Sequence, residues 1–153
     1  MDSFAGSATL PYHNFRDGEF PNVEAISAKT VKSTVGVGME TCFACMVRCK
    51  KVVKIDGKLR VDPVFGGPEY ETLAALGSNC GIDDLPAICK GNELCQRYGL
   101  DTISAGVVIG FAMECFEKGI LSKKSTGGIG LRFGNADAMI QLLGMIARRE
   151  GIG

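Results

Sequence analysis

Three cysteines lie close together in the stretch METCFACMVRCKKVV, residues 39–53, where they form a C-x2-C-x3-C run. Two residues separate Cys42 from Cys45, so a tight turn can bring both sulfurs to the same point, and Cys49 supplies a third nearby thiol. The spacing therefore predicts a loop that offers three local ligands to one centre. A fourth ligand must come from a distant part of the fold.

The identity of that centre stays open on spacing alone. A structural zinc site usually pairs one C-x2-C with a second Cys/His pair, and the single histidine, His13, has no partner at such spacing. A bacterial ferredoxin run has two residues in its second gap, whereas this run has three. Arg48, Lys50 and Lys51 could neutralise an anionic cluster, although solvated lysines at a strand entry are also common. An iron–sulfur cluster is favoured over zinc, redox thiols or plain packing.

The other four cysteines give no second ligand run. Cys89 and Cys95 fall among apolar residues with helical spacing, where a free cysteine usually behaves as a small buried hydrophobe. Cys80 and Cys115 complete the total of seven, and any of the four could be the distant ligand. The N-terminal stretch shows no secretory signal, so we expect reduced thiols and a cytoplasmic location.

Charge and hydropathy exclude two classes of partner. The 17 basic side chains balance 17 acidic ones, which gives no electrostatic case for binding nucleic acid or an anionic membrane. The longest uncharged apolar run, residues 103–113, is interrupted by Glu114 and is too short to span a bilayer. We expect this run to form a buried helix and the chain to contain little beyond one domain.

The first part of the chain lacks a regular hydrophobic period. Residues 1–30 mix Pro, Gly, Asn and isolated aromatic residues, so residues 1–38 are predicted to be an extended arm. After the cysteine run, apolar and polar residues alternate on both sides of Asp56-Gly57, which is a strong hairpin signal. The apolar positions are Val53, Ile55, Leu59 and Val61. A small β-hairpin is therefore predicted near residues 51–65.

Helix-forming patterns, with capping residues at their ends, dominate the sequence from residue 71 onward. One predicted helix starts at Asp83 or Asp84 and ends at Gly99, and the last starts at Asn135 and ends at Gly151. The sequence then finishes abruptly on GIG. We expect a mainly α, multihelical fold with one small hairpin, in which residues 39–153 form an incomplete helical domain of a larger enzyme.

Five stretches in register resemble the aldehyde:ferredoxin oxidoreductase family of tungsten enzymes, and specifically its middle domain. They are CFACMVRCKK, GPEYETLAALGSNCGIDDL, NELCQRYGLDTIS, FAMECFEKG and GNADAMIQLLGMIARREGIG. The likeness extends into the arm at LPYHNFRDGEF. Five blocks in the same order are far more specific than one cysteine motif.

The resemblance implies a 4Fe–4S cluster held by Cys42, Cys45 and Cys49. In the family, a fourth cysteine lies downstream in a region that this chain lacks. The family's N-terminal β-rich domain and its C-terminal helical region also have no counterpart here. We therefore expect the missing regions, or the subunits that supply them, to be partners.

The segment QRYGLD resembles the family's pterin-binding pattern D-x-x-G-L-D/C. Gly99, Leu100 and Asp101 match this pattern, whereas Gln96 replaces the usual aspartate. A helix end followed by a new helix start exposes N–H groups and a carboxylate that suit a pterin. The alternative is an ordinary helix–turn–helix with an aspartate cap.

Glu71 in GPEYET resembles a family carboxylate that faces the metal and assists water or proton transfer. The alternative is that Glu69 or Glu71 only complements the dipole of the helix that follows.

By resemblance, the chain is a fragment or split subunit of a tungsten–pterin (or molybdenum–pterin) oxidoreductase that converts aldehydes to carboxylic acids. Ferredoxin would accept the electrons, and the chain alone would be inactive and prone to self-association. Three alternatives are a tungsten subunit that reduces an aromatic acyl-CoA thioester, a non-catalytic iron–sulfur electron-transfer or assembly module, and a structural remnant without a cofactor.

Overall fold

The computed structural model describes residues 10–153, and it confirms a mostly helical fold with a two-stranded antiparallel hairpin. The elements are α1 (Ala28–Thr34), β1 (Gly36–Glu40), β2 (Lys50–Val53), α2 (Tyr70–Thr72), α3 (Leu85–Tyr98), α4 (Thr102–Glu117) and α5 (Ala136–Arg148). Short 3-10 turns lie at Val23–Ile26 and Pro63–Phe65. The expectations for residues 1–9, including the absent signal, lie outside the described residues.

The predicted helix boundaries follow capping chemistry. Side-chain oxygens of three residues accept hydrogen bonds from backbone N–H groups at the starts of α3, α4 and α5. These residues are Asp84, Asp101 and Asn135. Gly99 ends α3 with a φ of 66°, which is the left-handed conformation that glycine adopts without steric cost. Helix α5 ends at Arg148, and Arg149 rather than Gly151 is its left-handed cap.

The hairpin lies further upstream than the sequence indicated. The pairing across Asp56-Gly57 is an isolated bridge between Ile55 and Val61, with backbone N···O distances of 3.0 and 3.3 Å. The ladder instead joins β2 to β1, with Gly36 opposite Val53. Strand β1 was missed because its glycines interrupt the alternation and all five of its residues are exposed.

The segment expected to be extended contains helical turns. Ser27 caps the start of helix α1, and its Oγ accepts a hydrogen bond from the Thr30 N–H at 3.2 Å. Leu10, Phe20 and Ile26 are buried and belong to the main core. A helix this short buries one apolar side chain, so its period is invisible in sequence. The domain boundary at residue 38 stays a prediction.

The centre of the fold is the 70–80 segment, in which α2 continues as a π-helical turn, Leu73–Gly77, and a 3-10 turn, Ser78–Cys80. Helix α4 crosses this segment at backbone contact distance. A Cβ on Gly106 would lie 2.5 Å from the carbonyl carbon of Ala75, and a Cβ on Gly110 would lie 2.6 Å from Asn79 Nδ2. The approach is therefore possible only because both residues are glycines.

Helix α4 is only half buried, contrary to the expectation for residues 103–113. Ile109 and Met113 face the core, whereas Val108 and Phe111 are 58% and 60% exposed. The run is apolar all round, so one face remains uncovered in this chain. Within residues 10–153, no helix is long and apolar enough by itself to cross a membrane, although α3 and α4, bent by 120°, meet that criterion as a pair.

Candidate functional site

The three clustered cysteines lie on the thiol loop, residues 41–49, which joins β1 to β2. All three are exposed and free of disulfide bonds. The Cys45 N–H donates to the Cys42 carbonyl at 3.1 Å, and Ala44 has a φ of 56°, so the C-x2-C spacing does form the predicted tight turn. The loop thus presents three free thiols to solvent.

The donor set of the thiol loop fits an iron–sulfur cluster by chemistry, because cysteine thiolates are the usual ligands of such clusters. The three sulfurs do not converge here, since no group of three or more Cys, His, Asp or Glu side chains is gathered for a metal in residues 10–153. Arg48 Nε donates to the Met39 carbonyl at 2.7 Å, which ties the end of the loop back to β1. Cluster binding would therefore draw the loop together around its sulfurs.

The buried cysteines are poor candidates for the distant fourth ligand. Cys80, Cys89 and Cys95 are each 0% exposed, which confirms the packing role predicted for the last two. Burial raises the pKa of Cys80 and of Cys89 to about 12, and that of Cys95 to about 11, so the thiolate form needed for ligation is disfavoured. None of the three lines the cavity beside the thiol loop.

A cavity of about 850 Å³, here named the thiol cavity, lies beside this loop. Four of the predicted site residues line it, although they are distant in sequence. They are Cys42, Cys49, Glu71 and Gln96. Lys50 also lines the cavity and adds a positive charge. The fold thus brings thiols, a carboxylate and an amide to one space.

Sequence reasoning missed three polar residues of the thiol cavity. Thr72 and Thr102 face each other with their hydroxyl oxygens 2.9 Å apart. Asn92 is only 3% exposed, and its amide makes no hydrogen bond to any residue that the structure describes. The available signal was an amide four positions after Ile88, on the apolar face of helix α3. An unpaired amide at a cavity wall is suited to a polar ligand.

Glu71 stands at the start of the 70–80 segment, where its carboxylate is exposed. It makes no hydrogen bond or ion pair within residues 10–153, and so remains available for proton transfer. Neighbouring Glu69 is instead paired with Lys51. The first-turn position also matches the dipole alternative. Its catalytic assignment stays a prediction.

The QRYGLD residues separate in space. Gln96 lines the thiol cavity, whereas Leu100 and Asp101 line a different, apolar groove of about 330 Å³. Asp101 Oδ2 accepts from the Ser104 N–H at 2.7 Å, and hydrogen bonds from the Ser104 side chain and backbone lower the pKa of this carboxyl. The local geometry is that of a capped helix–turn–helix. The pterin-binding role of Gly99, Leu100 and Asp101 stays a prediction.

Comparison with known proteins identifies the family behind this arrangement. The sequence model of a protein family, described as "Aldehyde ferredoxin oxidoreductase, domains 2 & 3", matches residues 1–153. The chain belongs to the aldehyde ferredoxin oxidoreductase family. This confirms the resemblance found in the five sequence blocks.

Individual relatives agree with the family assignment. The chain is 36% identical over 149 residues to the tungsten-containing aldehyde ferredoxin oxidoreductase of Pyrococcus horikoshii, and over 147 residues to that of Pyrococcus furiosus. Each match covers 94% of this chain but 23% of the relative. The aliphatic sulfonate oxidoreductase, WOR-like subunit, of Pyrococcus furiosus is 36% identical over 115 residues, or 72% of this chain and 18% of that protein. The chain thus corresponds to a part of these larger proteins, as predicted.

Proposed function

We propose that this chain forms the thiol-bearing part of a tungsten–pterin oxidoreductase that converts an aldehyde and water to a carboxylic acid. The main observation behind the proposal is the thiol cavity, which is lined by Cys42, Cys49, Glu71 and Gln96. Membership of the aldehyde ferredoxin oxidoreductase family supports it, as does the similarity to the tungsten-containing relatives.

Different residues of the chain would bind the cluster and the pterin. Cys42, Cys45 and Cys49 would hold a 4Fe–4S cluster through their thiolates. Gln96 and Asn92 would present amides to the pterin from the thiol cavity. The family pattern also assigns pterin contacts to Gly99, Leu100 and Asp101, although Leu100 and Asp101 line a different groove. When bound, the tungsten or molybdenum would supply two-electron redox chemistry, and a cluster held by these three thiolates would supply one-electron transfer toward a ferredoxin.

Glu71 would act as the proton acceptor at this site. Conversion of an aldehyde and water to a carboxylic acid releases two protons, and it releases two electrons that the metal centre would accept. The exposed, unpaired carboxylate of Glu71 can take one proton from the water that adds to the aldehyde carbon. Lys50 would favour the anionic product within the same cavity.

The proposal makes the chain one part of an assembly. The remaining cluster ligand and the other walls of the site would come from regions or subunits that this chain does not contain. The word "subunit" in the name of the sulfonate oxidoreductase relative supports such a division. The exposed face of helix α4 would bind these regions, or a second copy of the chain in their absence. We propose a cytoplasmic location and an inactive isolated chain.

One observation favours a second function, that of a non-catalytic iron–sulfur module for electron transfer or assembly. Asp101 is engaged as a helix cap, and its turn lines a different groove from the thiol cavity. Such a module would bind iron and sulfide but no tungsten or pterin, even beside the missing regions.

The deciding experiment compares variants in the assembled holoprotein, purified without oxygen. Glu71→Gln should lower the rate of aldehyde oxidation about 10²- to 10⁴-fold while iron and tungsten contents stay unchanged. Glu69→Gln is the matched control, because Glu69 is paired with Lys51, and it should retain activity. Full activity of Glu71→Gln would contradict the catalytic assignment.

The same preparation tests the cluster. Iron and acid-labile sulfide, with a spin-resonance spectrum of the reduced protein, should show about four irons per chain in the wild type and in Cys115→Ser. Cys45→Ser should lose them. Iron and sulfide without tungsten would favour the electron-transfer module, and negligible iron in all three proteins would overturn both functions.

A further inference from the structure

An open groove, here named the strand groove, lies between helix α1 and the β1–β2 hairpin. Its volume of about 540 Å³ is within the range of about 300–1,000 Å³ that is typical of binding pockets. Helix α1 and strand β1 supply most of its lining, namely Ala28, Val31, Lys32, Gly36, Gly38 and Met39. No residue lines both this groove and the thiol cavity. The strand groove is therefore separate from the proposed reaction site.

Strand β1 has an open backbone edge beside this groove. Lys51 directs its backbone groups away from β1, since its carbonyl accepts from the Gly67 N–H at 2.7 Å and its N–H donates to Glu69 Oε1 at 3.5 Å. Met39 is opposite Lys51, so its own N–H and carbonyl lie at the outer edge of β1. Arg48 Nε donates to that carbonyl at 2.7 Å, and this is the one hydrogen bond that the β1 backbone makes outside the ladder within the described residues.

A third strand at this edge would complete the sheet. A two-stranded ribbon is marginally stable by itself, and three or more strands are usually needed. All five residues of β1 are exposed. Val37 and Met39 are 60% and 41% exposed, which gives an added strand apolar side chains to contact. An open edge with these properties is suited to β-strand addition by an extended segment.

Gly38 leaves room in the strand groove for a side chain of the added strand. A Cβ on Gly38 would meet no atom within 4 Å, whereas a Cβ on Gly36 would lie 3.1 Å from the Val31 carbonyl oxygen. The groove is thus closed at Gly36, where α1 and β1 meet, and open at Gly38. Val31 and Val52 also line it, so the side chain that enters beside Gly38 would be apolar.

The charge around the strand groove favours an acidic partner. Residues 28–54 carry six basic side chains and one acidic side chain, although charge is balanced over the whole chain. Lys32 lines the groove, is exposed and makes no ion pair within the described residues. Arg48 lies at the open edge through its bond to Met39, and it too lacks an ion pair within that part of the chain. Carboxylates on an incoming segment would complement these two charges.

We propose that the strand groove and the open edge of β1 form a docking site for an extended, acidic segment of a partner protein. The segment would pair with β1 as a third strand, direct alternate apolar side chains into the groove, and place carboxylates at Lys32 and Arg48. Strand β1 has five residues, so about five residues of the partner would pair with it. The inference goes beyond the proposed function and does not depend on it, because it uses no residue of the thiol cavity.

The test titrates the full chain, labelled with nitrogen-15, with a capped peptide of sequence Glu-Val-Thr-Val-Thr-Val-Glu. Its control has Lys at both ends. The acidic peptide should bind about tenfold more tightly than the control, because of the charges at Lys32 and Arg48. Hydrogen exchange of the Met39 amide should slow at least tenfold when the acidic peptide is bound. Absence of binding, equal affinity for the two peptides, or binding without slower exchange would each overturn the proposal.

A methylated peptide separates strand pairing from other modes of binding. N-methyl groups on the five central residues remove the N–H donors from both edges of the acidic peptide but leave its side chains and charges in place. Binding should weaken at least tenfold, because the main-chain hydrogen bonds to β1 are lost. Unchanged binding would contradict strand addition.

Two adjacent positions of β1 provide matched variants. Gly38 lacks a positive φ and a Cβ there meets nothing, so Gly38→Leu should fill the groove without strain and weaken peptide binding about tenfold. Val37 does not line the groove, and Val37→Leu should leave affinity within about twofold. Equal losses in both variants would contradict the site. Dimerisation of the chain that Gly38→Leu abolishes, without peptide binding by the wild type, would show that a second copy occupies the edge and would also overturn the proposal.

Charge reversal gives a further criterion with its own control. Lys32→Glu should weaken binding of the acidic peptide about tenfold and strengthen binding of the lysine control peptide. Lys124→Glu, at an exposed position that does not line the groove, should change neither affinity. Equal effects of the two reversals would show that net charge alone governs binding, which would contradict a defined docking site.

Discussion

The thiol loop and the helical core use the same side chain for opposite purposes. On the loop, Cys42, Cys45 and Cys49 are exposed, and neighbouring Phe43 and Met46 are essentially fully exposed as well. In the core, Cys80, Cys89 and Cys95 are sealed from solvent, and burial raises the pKa of each thiol. The difference teaches that environment, rather than residue type, decides whether a cysteine is available as a ligand.

Thiol reactivity should show the largest difference between these regions. Burial raises the pKa of Cys80 from 9.0 to about 12, which reduces its thiolate fraction about a thousandfold at a given pH. In a timed reaction of the native chain with iodoacetamide, read by mass spectrometry, we expect the loop cysteines to react first and Cys80 at least a thousandfold more slowly. In denaturant this difference should vanish. Comparable native rates would show that the core opens readily.

A buried charge should break the core and spare the loop. Cys89→Asp places a carboxylate at a fully buried position near Asp84, so the free energy of unfolding should fall by about 3–5 kcal/mol. Cys45→Asp, on the exposed loop, should change it by no more than about 0.5 kcal/mol. Urea denaturation measures both. Similar losses would mean that the loop is as tightly packed as the core.

The comparison between buried and exposed positions also applies to carboxylates, with a smaller expected effect on the free energy of unfolding. Glu93 is 2% exposed and accepts hydrogen bonds from Arg97 Nε at 2.8 Å, Lys90 Nζ at 3.0 Å and the Asp62 N–H at 3.0 Å. Burial acts to raise the pKa of Glu93, but these three donors outweigh it and hold the pKa below its ordinary value. Glu93→Gln should therefore lower the free energy of unfolding by about 1–3 kcal/mol at neutral pH.

The pH dependence of this effect has a defined sign. Because the folded pKa of Glu93 is depressed, its contribution is fully present above the ordinary value of 4.5 and is lost as the pH falls through the folded value. The difference between wild type and Glu93→Gln should shrink below pH 4.5 in urea titrations. Glu69→Gln, in an exposed pair with Lys51, should cost no more than about 1 kcal/mol. A difference that persists unchanged in acid would contradict the ionic role of Glu93.

The parts of the fold that sequence predicted depend on local chemistry. Asp84, Asp101 and Asn135 cap helices through their own side chains, so the residue and its effect lie within one turn. Strand β1 and the π-helical turn depend instead on distant partners. The Ser78 N–H donates hydrogen bonds to the carbonyls of both Leu73 and Ala74. Packing against helix α4 imposes this geometry, and the helix propensities of the residues do not predict it.

The candidate site divides in the same way. The cysteine run is readable because its ligands are neighbours in sequence. Asn92 lines the thiol cavity, and the two amide atoms of Asn79 are buried without a hydrogen-bond partner in the described residues. Only three-dimensional contacts reveal either feature. The separation of Gln96 from Asp101 was likewise hidden, since the turn at Gly99 directs the two side chains to different cavities.

Gly106 and Gly110 fix the distance between helix α4 and the 70–80 segment. A Cβ on Gly106 would meet Ala75, and a Cβ on Gly110 would meet Asn79. Any larger residue at either glycine would push helix α4 away from the 70–80 segment. The spacing between these two elements is therefore closed to gradual adjustment at either glycine, and it can change only through changes elsewhere in the contact.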